Sequence, residues 1–295
     1  MYIGLDVGGT KILGALINNK TIVSSHKEKT NAANSTAEQI FEQIKSVITT
    51  LKKDNPIKGI GIGIPGSINT QTGVIGFSPN LPFKDFPIKE KLAQHFNVPI
   101  AIENDVNAGL LGEHWAGAAK EYSNVVGIFV GTGIGGAIII NDQLYHGKHS
   151  IAGEIGHMKL KINGPACNCG EKGCLEALAS KVSIQRALEK QGFTFDSIIK
   201  SSFIKEQLEK GNKEVKEVMK KAAISLGEAA GSIVNILDPE AIILGGGVME
   251  SLGDFFLKKI KPVANKRALV KPNIKLASLG DYSIVYGAVY LVKSE

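Results

Sequence analysis

Apolar residues run from Tyr2 to Val7, resume from Ile12 to Ile17 and continue in a shorter stretch to about Ser25, with Gly8-Gly9-Thr10 and Asn18-Asn19-Lys20 between them. Short apolar runs separated by glycine- and asparagine-rich turns predict a β-meander. Ser35 and Glu38 have capping-box spacing, and Ile40, Ile44, Val47, Ile48 and Leu51 then recur with the helical period, which predicts a helix to about Lys53. Ile57 to Ile64 alternates Ile with Gly and stops at Pro65-Gly66, as a buried strand feeding a loop does. Residues 69 to 87 are rich in Gly, Pro and Asn and predict a long irregular loop around Ser78-Pro79-Asn80-Leu81-Pro82. Loops of that length in compact domains are often functional.

A helix over 88–96, a strand over 98–102 and a helix from Asn104 to about Ala118 follow. Val125 to Val130 then opens a second strand-turn-strand with Gly131-Thr132-Gly133 and the apolar run Ala137 to Ile140. An offset of 122 residues places Gly9, Thr10, Gly14, Ala15 and Asn19 on Gly131, Thr132, Gly136, Ala137 and Asn141. This faint repeat suggests two domains with the same opening, joined near Ala116 to Ser123, although glycine-rich strand turns are common enough to coincide by chance. Residues 175 to 237 read as mainly helical, with a strand over 241–244, a glycine turn, a helix over 248–260, a strand over 273–277 and a last helix over 283–292. Strands alternating with helices indicate an α/β fold.

The 295 residues, 43% hydrophobic and 21% charged, describe an ordinary globular chain and exclude disorder. No apolar run approaches the roughly 20 residues of a membrane span, and the start of the chain has neither the basic nor the apolar region of a signal peptide, so a cytoplasmic protein is expected. The net charge of +6 comes from scattered lysines, with Arg186 and Arg267 as the only arginines. Arginine dominates base readout and phosphate clamping in nucleic-acid binders, so nucleic acid is disfavoured and small anions such as nucleotides fit better.

Three cysteines fall within one stretch, GEIGHMKLKINGPACNCGEKGCLE from Gly153 to Glu176. His157, Cys167, Cys169 and Cys174 supply the imidazole and three thiols of a tetrahedral structural zinc site. The turn formers between them let the backbone fold sharply, and metal binding would supply folding energy to a loop with little core of its own. Free thiols, or a disulfide with one thiol left over, are the alternative; an odd cysteine count in a cytosolic protein favours zinc. Glu154 and Glu176 flank the cluster. Rigidly held, they could recognise a polyhydroxyl ligand; singly, each reads as a solvated surface acid.

Asp6 lies ahead of Gly8, Gly9, Thr10 and Lys11, and comparable turns occur at Gly131, Thr132 and Gly133 and at Gly245, Gly246 and Gly247. Each follows an apolar strand, where glycine lets backbone N–H groups approach an anion. None has Walker spacing or opens a dinucleotide unit. One such turn is just a turn; three leave phosphate binding and plain turns equally open. Asp6 could hold magnesium beside a nucleotide's phosphates. Glu103-Asn104-Asp105 stands where a strand meets a helix, and the residue types alone favour a helix cap over a catalytic base. Trp115, His114, His146 and His149 carry no signal beyond packing or surface.

With these pieces assembled, the sequence resembles the ROK family of sugar kinases and sugar-responsive repressors, most closely its bacterial glucokinase branch. LDVGGTK, ENDVNAGLLGE from Glu103 to Glu113, GTGIGGAII from Gly131, HSIAGEIGH and CNCGEKGCLE carry the likeness, which spans nearly the whole chain. The resemblance implies a two-domain, actin-like ATPase fold of the ribonuclease-H type with a zinc-stabilised loop. The domains would cover residues 1–118 and 119–295, with the final helix over 283–295 returning to the first. It implies sugar bound by Asn80, Asn104, Asp105, Glu154, His157 and Glu176, with Asp105 as catalytic base and His157 serving both zinc and sugar. ATP, Mg2+ and Zn2+ are the implied cofactors and a homodimer the implied assembly. Glucose phosphorylation is expected, with fructose, mannose, allose or an N-acetylhexosamine as alternative substrates. The other alternative is a sugar-sensing regulator without its own DNA-binding domain, since the first strand at Tyr2 leaves no room for a helix-turn-helix.

Overall fold

Strands β1 (Tyr2–Val7), β2 (Lys11–Asn18) and β3 (Thr21–Lys29) form the predicted antiparallel meander. Helix α1 (Ala37–Lys52) follows, its buried face made of Ile40, Phe41, Ile44, Val47, Ile48 and Leu51. Its capping box sits one residue later than the spacing suggested: Thr36 Oγ1 accepts the Gln39 N–H and Gln39 Oε1 accepts the Thr36 N–H at 2.8 Å. Ser35 instead donates to the Asn31 carbonyl, a local bond that removes it from the cap.

The wholly buried strand β4 (Ile60–Ile64) precedes a second departure from expectation. Residues 69 to 87 are not irregular throughout: β5 (Ser67–Asn69), β6 (Val74–Phe77) and β7 (Lys84–Phe86) make a small three-stranded antiparallel sheet. Its strands are too short for alternation to show, and Ile68, Ile75 and Phe86 anchor it to the core. Helix α2 (Ile88–Ala93), strand β8 (Ile100–Asn104) and helix α3 (Asp105–Ala116) complete this region.

The second half runs β9 (Val125–Val130), β10 (Ile134–Ile140), β11 (Gln143–Leu144), α4 (Leu175–Ala179), α5 (Lys181–Glu189), α6 (Ser201–Glu209), α7 (Lys213–Leu237), β12 (Ala241–Gly245), α8 (Gly247–Arg267) and β13 (Ile274–Leu276), before α9 (Ser283–Ser294). Helix α8 continues past its expected end through Pro262, with a kink at Leu252. The structure, a computed structural model, describes residues 1–294. It divides into two units: Met1–Glu121, His146–Ser150 and the stretch from Asp281 onward in the first, Tyr122–Tyr145 and Ile151–Gly280 in the second.

Each unit is built on a five-stranded sheet, ordered β3-β2-β1-β4-β8 in the first and β11-β10-β9-β12-β13 in the second. Both orders place a hairpin beside parallel strands, and this shared topology is the structural content of the 122-residue offset between Gly9 and Gly131. In the first unit α9 lies on the sheet and against α3 with almost no spacing. A Cβ on Gly61 would stand 1.8 Å from the Ala288 carbonyl oxygen, and one on Gly112 1.9 Å from that of Ser283. Glycine at these positions lets backbone pack on backbone. In the second unit the core gathers around β9, β12, α7 and α8, with Met219, Leu226, Phe256 and Ile260 fully buried. No described helix is long and apolar enough to cross a membrane.

Candidate active site and cysteine cluster

In the first unit the carboxyl ends of three parallel strands come into line, because Asp6 on β1 pairs in register with Gly63 on β4, and Gly63 with Glu103 on β8. Carboxyl ends of parallel strands are where open α/β sheets bind ligands. Asn104 caps α3: its Oδ1 accepts the Val106 and Asn107 N–H groups at 2.9 and 3.2 Å, while its Nδ2 donates to the Gly66 carbonyl. Asp105 is the first helical residue, and one of its oxygens accepts the Val106 N–H at 3.0 Å. The cap predicted from residue type is therefore Asn104, which leaves Asp105 as a separate acid at the helix start.

The Gly8–Lys11 turn presses on the Asn80 loop, since a Cβ on Gly9 would lie 2.7 Å from the Asn80 carbonyl oxygen. Gly66 links that loop to α3. Its carbonyl accepts from Asn104, and its positive φ of 124° lets its α-carbon pack against Phe77 and Ser78. The structure thus gathers Asp6, Gly8 to Lys11, Asn80, Asn104 and Asp105 on one side of the first unit's sheet.

Desolvation, followed by the negative charge of Asp105, pushes the Asp6 carboxyl up to about 7; Lys11 opposes the shift and Asp281 adds to it. Neighbouring acids that resist joint ionisation form a donor set suited to a hard divalent cation, so Asp6 fits the magnesium role expected of it. Lys11 donates to Asp281 at 2.7 Å, and Lys27 stands 3.8 Å from the same carboxylate. That pairing holds the Asp281 carboxyl below its ordinary range, chiefly through the Lys11 hydrogen bond. Asp281 escaped the sequence reading because its partner lies 270 residues away.

In the second unit two glycine turns leave the carboxyl ends of neighbouring parallel strands, Gly131–Gly133 after β9 and Gly245–Gly247 at the end of β12. Gly246 has φ of 87°, and a Cβ there would meet the Val130 backbone at 2.6 Å, so this turn lies against the end of β9. The first residues of α5 back the earlier turn, with the Lys181 N–H donating to Gly131 O and the Val182 N–H to Thr132 O. Half-buried Lys181 loses part of its basicity to desolvation there. Glu176 accepts the Ile134 N–H at 2.9 Å, which holds one carboxylate oxygen against the glycine turn.

The four ligand atoms of His157, Cys167, Cys169 and Cys174 all lie within 4.8 Å of one another. Cys169 Sγ and Cys174 Sγ are 3.8 Å apart, as are Cys167 Sγ and His157 Nδ1. A tetrahedron with metal–sulfur bonds of about 2.3 Å has edges of about 3.8 Å, so these two separations match its edges and the cluster could hold a zinc ion. Bridges between Lys159 and Cys174 and between Ala166 and Lys172 fold the loop into place. Burial pushes the Cys174 thiol up to about 12, whereas a backbone hydrogen bond from Glu171, first among several, holds Cys169 below its usual range. The other imidazole nitrogen, His157 Nε2, stands 3.9 Å from Glu154 Oε2, beyond hydrogen-bond distance.

Two repeated sheets, each opening on a hairpin with a glycine turn, define a protein of the actin-like ATPase type, which here also carries a Cys₃His cluster. The chain belongs to the ROK family, whose profile matches residues 2–295. It is 34% identical over 318 residues to a glucokinase of Halalkalibacterium halodurans, an alignment covering 100% of this chain and 95% of that protein. It is also 34% identical over 272 residues to a xylose repressor of Caldicellulosiruptor bescii, covering 87% of this chain and 68% of the repressor. Among solved structures, a ROK family glucokinase from Streptomyces griseus in complex with glucose and AMPPNP superposes with a TM-score of 0.86 at 28% identity, covering 100% of this chain and 99% of that one.

Proposed function

We propose that this protein transfers the γ-phosphoryl group of ATP to the 6-hydroxyl of a hexose, with glucose as the preferred acceptor. The observation that carries the reading is Asp105, an acid set at the start of α3 beside the desolvated Asp6 and the Gly8–Lys11 turn. Asp105 accepts the hydroxyl proton as the oxygen attacks phosphorus, which is the base role that phosphoryl transfer requires. Backbone N–H groups of the glycine turns at Gly8–Thr10, Gly131–Gly133 and Gly245–Gly247 bind phosphate oxygens, and Lys11 adds positive charge. Magnesium, held by Asp6, would neutralise charge on the nucleotide's phosphates.

Asn80, Asn104 and Asp105 bind sugar hydroxyls, and the family resemblance adds Glu154, His157 and Glu176 to that role. Zinc on His157, Cys167, Cys169 and Cys174 would fix the direction of the His157 ring and of the loop around it. Support for glucose comes from the glucokinase relative at 34% identity. The similarity to a xylose repressor supports a second reading, a sugar sensor, for which Asp105 would need no proton-accepting role.

An ADP-release assay with ATP, magnesium and a panel of hexoses including 6-deoxyglucose decides between them. Turnover of glucose that disappears with the 6-deoxy sugar is the expected result. Asp105→Asn should lower kcat by roughly 10²- to 10⁴-fold while leaving sugar affinity within a few-fold. Hexose binding without turnover in the wild-type protein would establish the sensor instead.

A further inference from the structure

Glu103 is 2% exposed, yet each of its carboxylate oxygens has a protein partner. Oε1 accepts the backbone N–H of Asn104 at 2.8 Å and the Nδ2 of Asn107 at 3.0 Å. Oε2 lies 2.7 Å from Nε2 of His146. With two N–H groups on one oxygen and an imidazole nitrogen on the other, both oxygens of this buried carboxylate are satisfied. The hydrogen bond to Glu103 in turn holds the His146 ring above its ordinary basicity.

His146 reaches this position by an excursion of the chain. Tyr122–Tyr145 belong to the second unit, His146–Ser150 belong to the first, and Ile151 returns to the second. The ring contacts the strand end that carries Asn104 and Asp105 at the very residue preceding them. Through Glu103 it acts on the Asn104 backbone and the Asn107 side chain, both parts of the first turn of α3.

We infer that His146 is a positioning residue for the Asn104–Asp105 turn, acting through Glu103, so that the acceptance of the hydroxyl proton by Asp105 depends on a donor contributed by the 146–150 segment. This rests on the kinase reading for its kinetic consequence and on geometry alone for its structural one. A donor at this distance from the reacting atoms affects how Asp105 is aimed, and misplacement of a catalytic group by a fraction of an ångström to an ångström costs up to about a hundredfold in rate.

The test compares wild type, His146→Ala, His146→Gln and His146→Asn as full chains. His146→Ala should lower kcat by about ten- to a hundredfold while the ATP KM stays within about twofold. Glutamine, which carries an N–H donor on a side chain of similar reach, should recover most of the loss; asparagine, one methylene shorter, should not. A kcat for His146→Ala within about twofold of wild type, or glutamine as poor as alanine, overturns the inference. Should the alanine variant fail to fold, the glutamine-against-asparagine contrast gives the same decision. Amide hydrogen exchange over residues 104–107 is read in parallel without substrate. Faster exchange there in His146→Asn than in His146→Gln is expected, and equal exchange overturns the positioning role even if the wild type proves to be no kinase.

Discussion

Glu176 accepts the Ile134 N–H at 2.9 Å, so the first turn of α4 and the end of the Gly131–Gly133 turn share one hydrogen bond. A Cβ on Gly133 would stand 2.3 Å from the same carboxylate oxygen, which shows how closely the two segments meet. Cys174, two positions before Glu176, is the N-cap of α4 and one of the four clustered ligands. Whatever orders the cysteine loop therefore also orders the glycine turn.

Zinc removal should be felt at that turn. The purified protein should carry about one zinc per chain by plasma mass spectrometry. Chelation, or Cys174→Ser, should lower Tm by several degrees and speed amide exchange at Gly131–Ile134. Metal-free protein with an unchanged Tm and unchanged exchange at the turn would remove the cluster from any organising role.

Asp6 predicts a pH dependence of stability. Its carboxyl titrates near 3.8 when unfolded and at about 7 in the fold, so the folded state holds the proton more tightly. Its contribution is complete below the unfolded value and is lost as pH rises through the folded one. Wild-type Tm, measured without divalent ions, should fall between about pH 4 and pH 7 by more than that of Asp6→Asn. Magnesium added near pH 8 should raise the wild-type Tm and leave Asp6→Asn unmoved. Parallel Tm profiles for the two proteins would contradict the assignment.

Helix α9 has no slack on Gly61. Gly61→Ala would drive a methyl group to 1.8 Å from the Ala288 carbonyl oxygen, backbone against backbone. The expected loss is about 3 kcal/mol or more, read from the urea midpoint. A midpoint equal to wild type would mean that α9 does not lie where the structure puts it.

The other end of the same contact is polar. Glu113, fully buried on α3, accepts the Ser283 hydroxyl at 2.8 Å and the Ala118 N–H at 2.8 Å. Glu113→Ala should cost about 2–4 kcal/mol, because it strands buried donors, and Ser283→Ala about 1 kcal/mol. Combining the two should cost less than the sum of the single losses, since they remove the same bond. Strict additivity in urea denaturation would show that the two groups do not depend on each other.

Periodicity was a good guide wherever an element was long enough to display it. Helix α1 shows its whole buried face in the sequence, and the glycine-punctuated hairpins announce both sheets. It failed over residues 69–87 because strands of three or four residues are shorter than the pattern needed to recognise them. The capping box slipped by one position because Ser35 and Thr36 offer the same chemistry, and only the Asn31 carbonyl decides which of them is free to cap.

The site was legible in a different way. The cysteine cluster could be read from spacing, since its ligands lie within 18 positions of one another, from His157 to Cys174. Asp105 could not: next to Asn104 it looks like part of a cap, and only the family resemblance singled it out. His146 carried no signal at all, because its meaning depends on Glu103, 43 residues earlier, and on a chain excursion that local pattern does not encode.

That α9 seals the sheet containing β1 has a consequence for how the protein is made. Gly4, Gly61 and Gly112 are covered by residues from Ser283 onward, so β1 waits for α9, made about 280 residues later, before its sheet is closed. The second unit, drawn from residues 122–145 and 151–280, is complete earlier in synthesis than the first. Folding on the ribosome should therefore run against the order of these elements, with the sheet of β1 left open until α9 has emerged and exposed meanwhile to proteases and to chaperones that bind bare apolar surface.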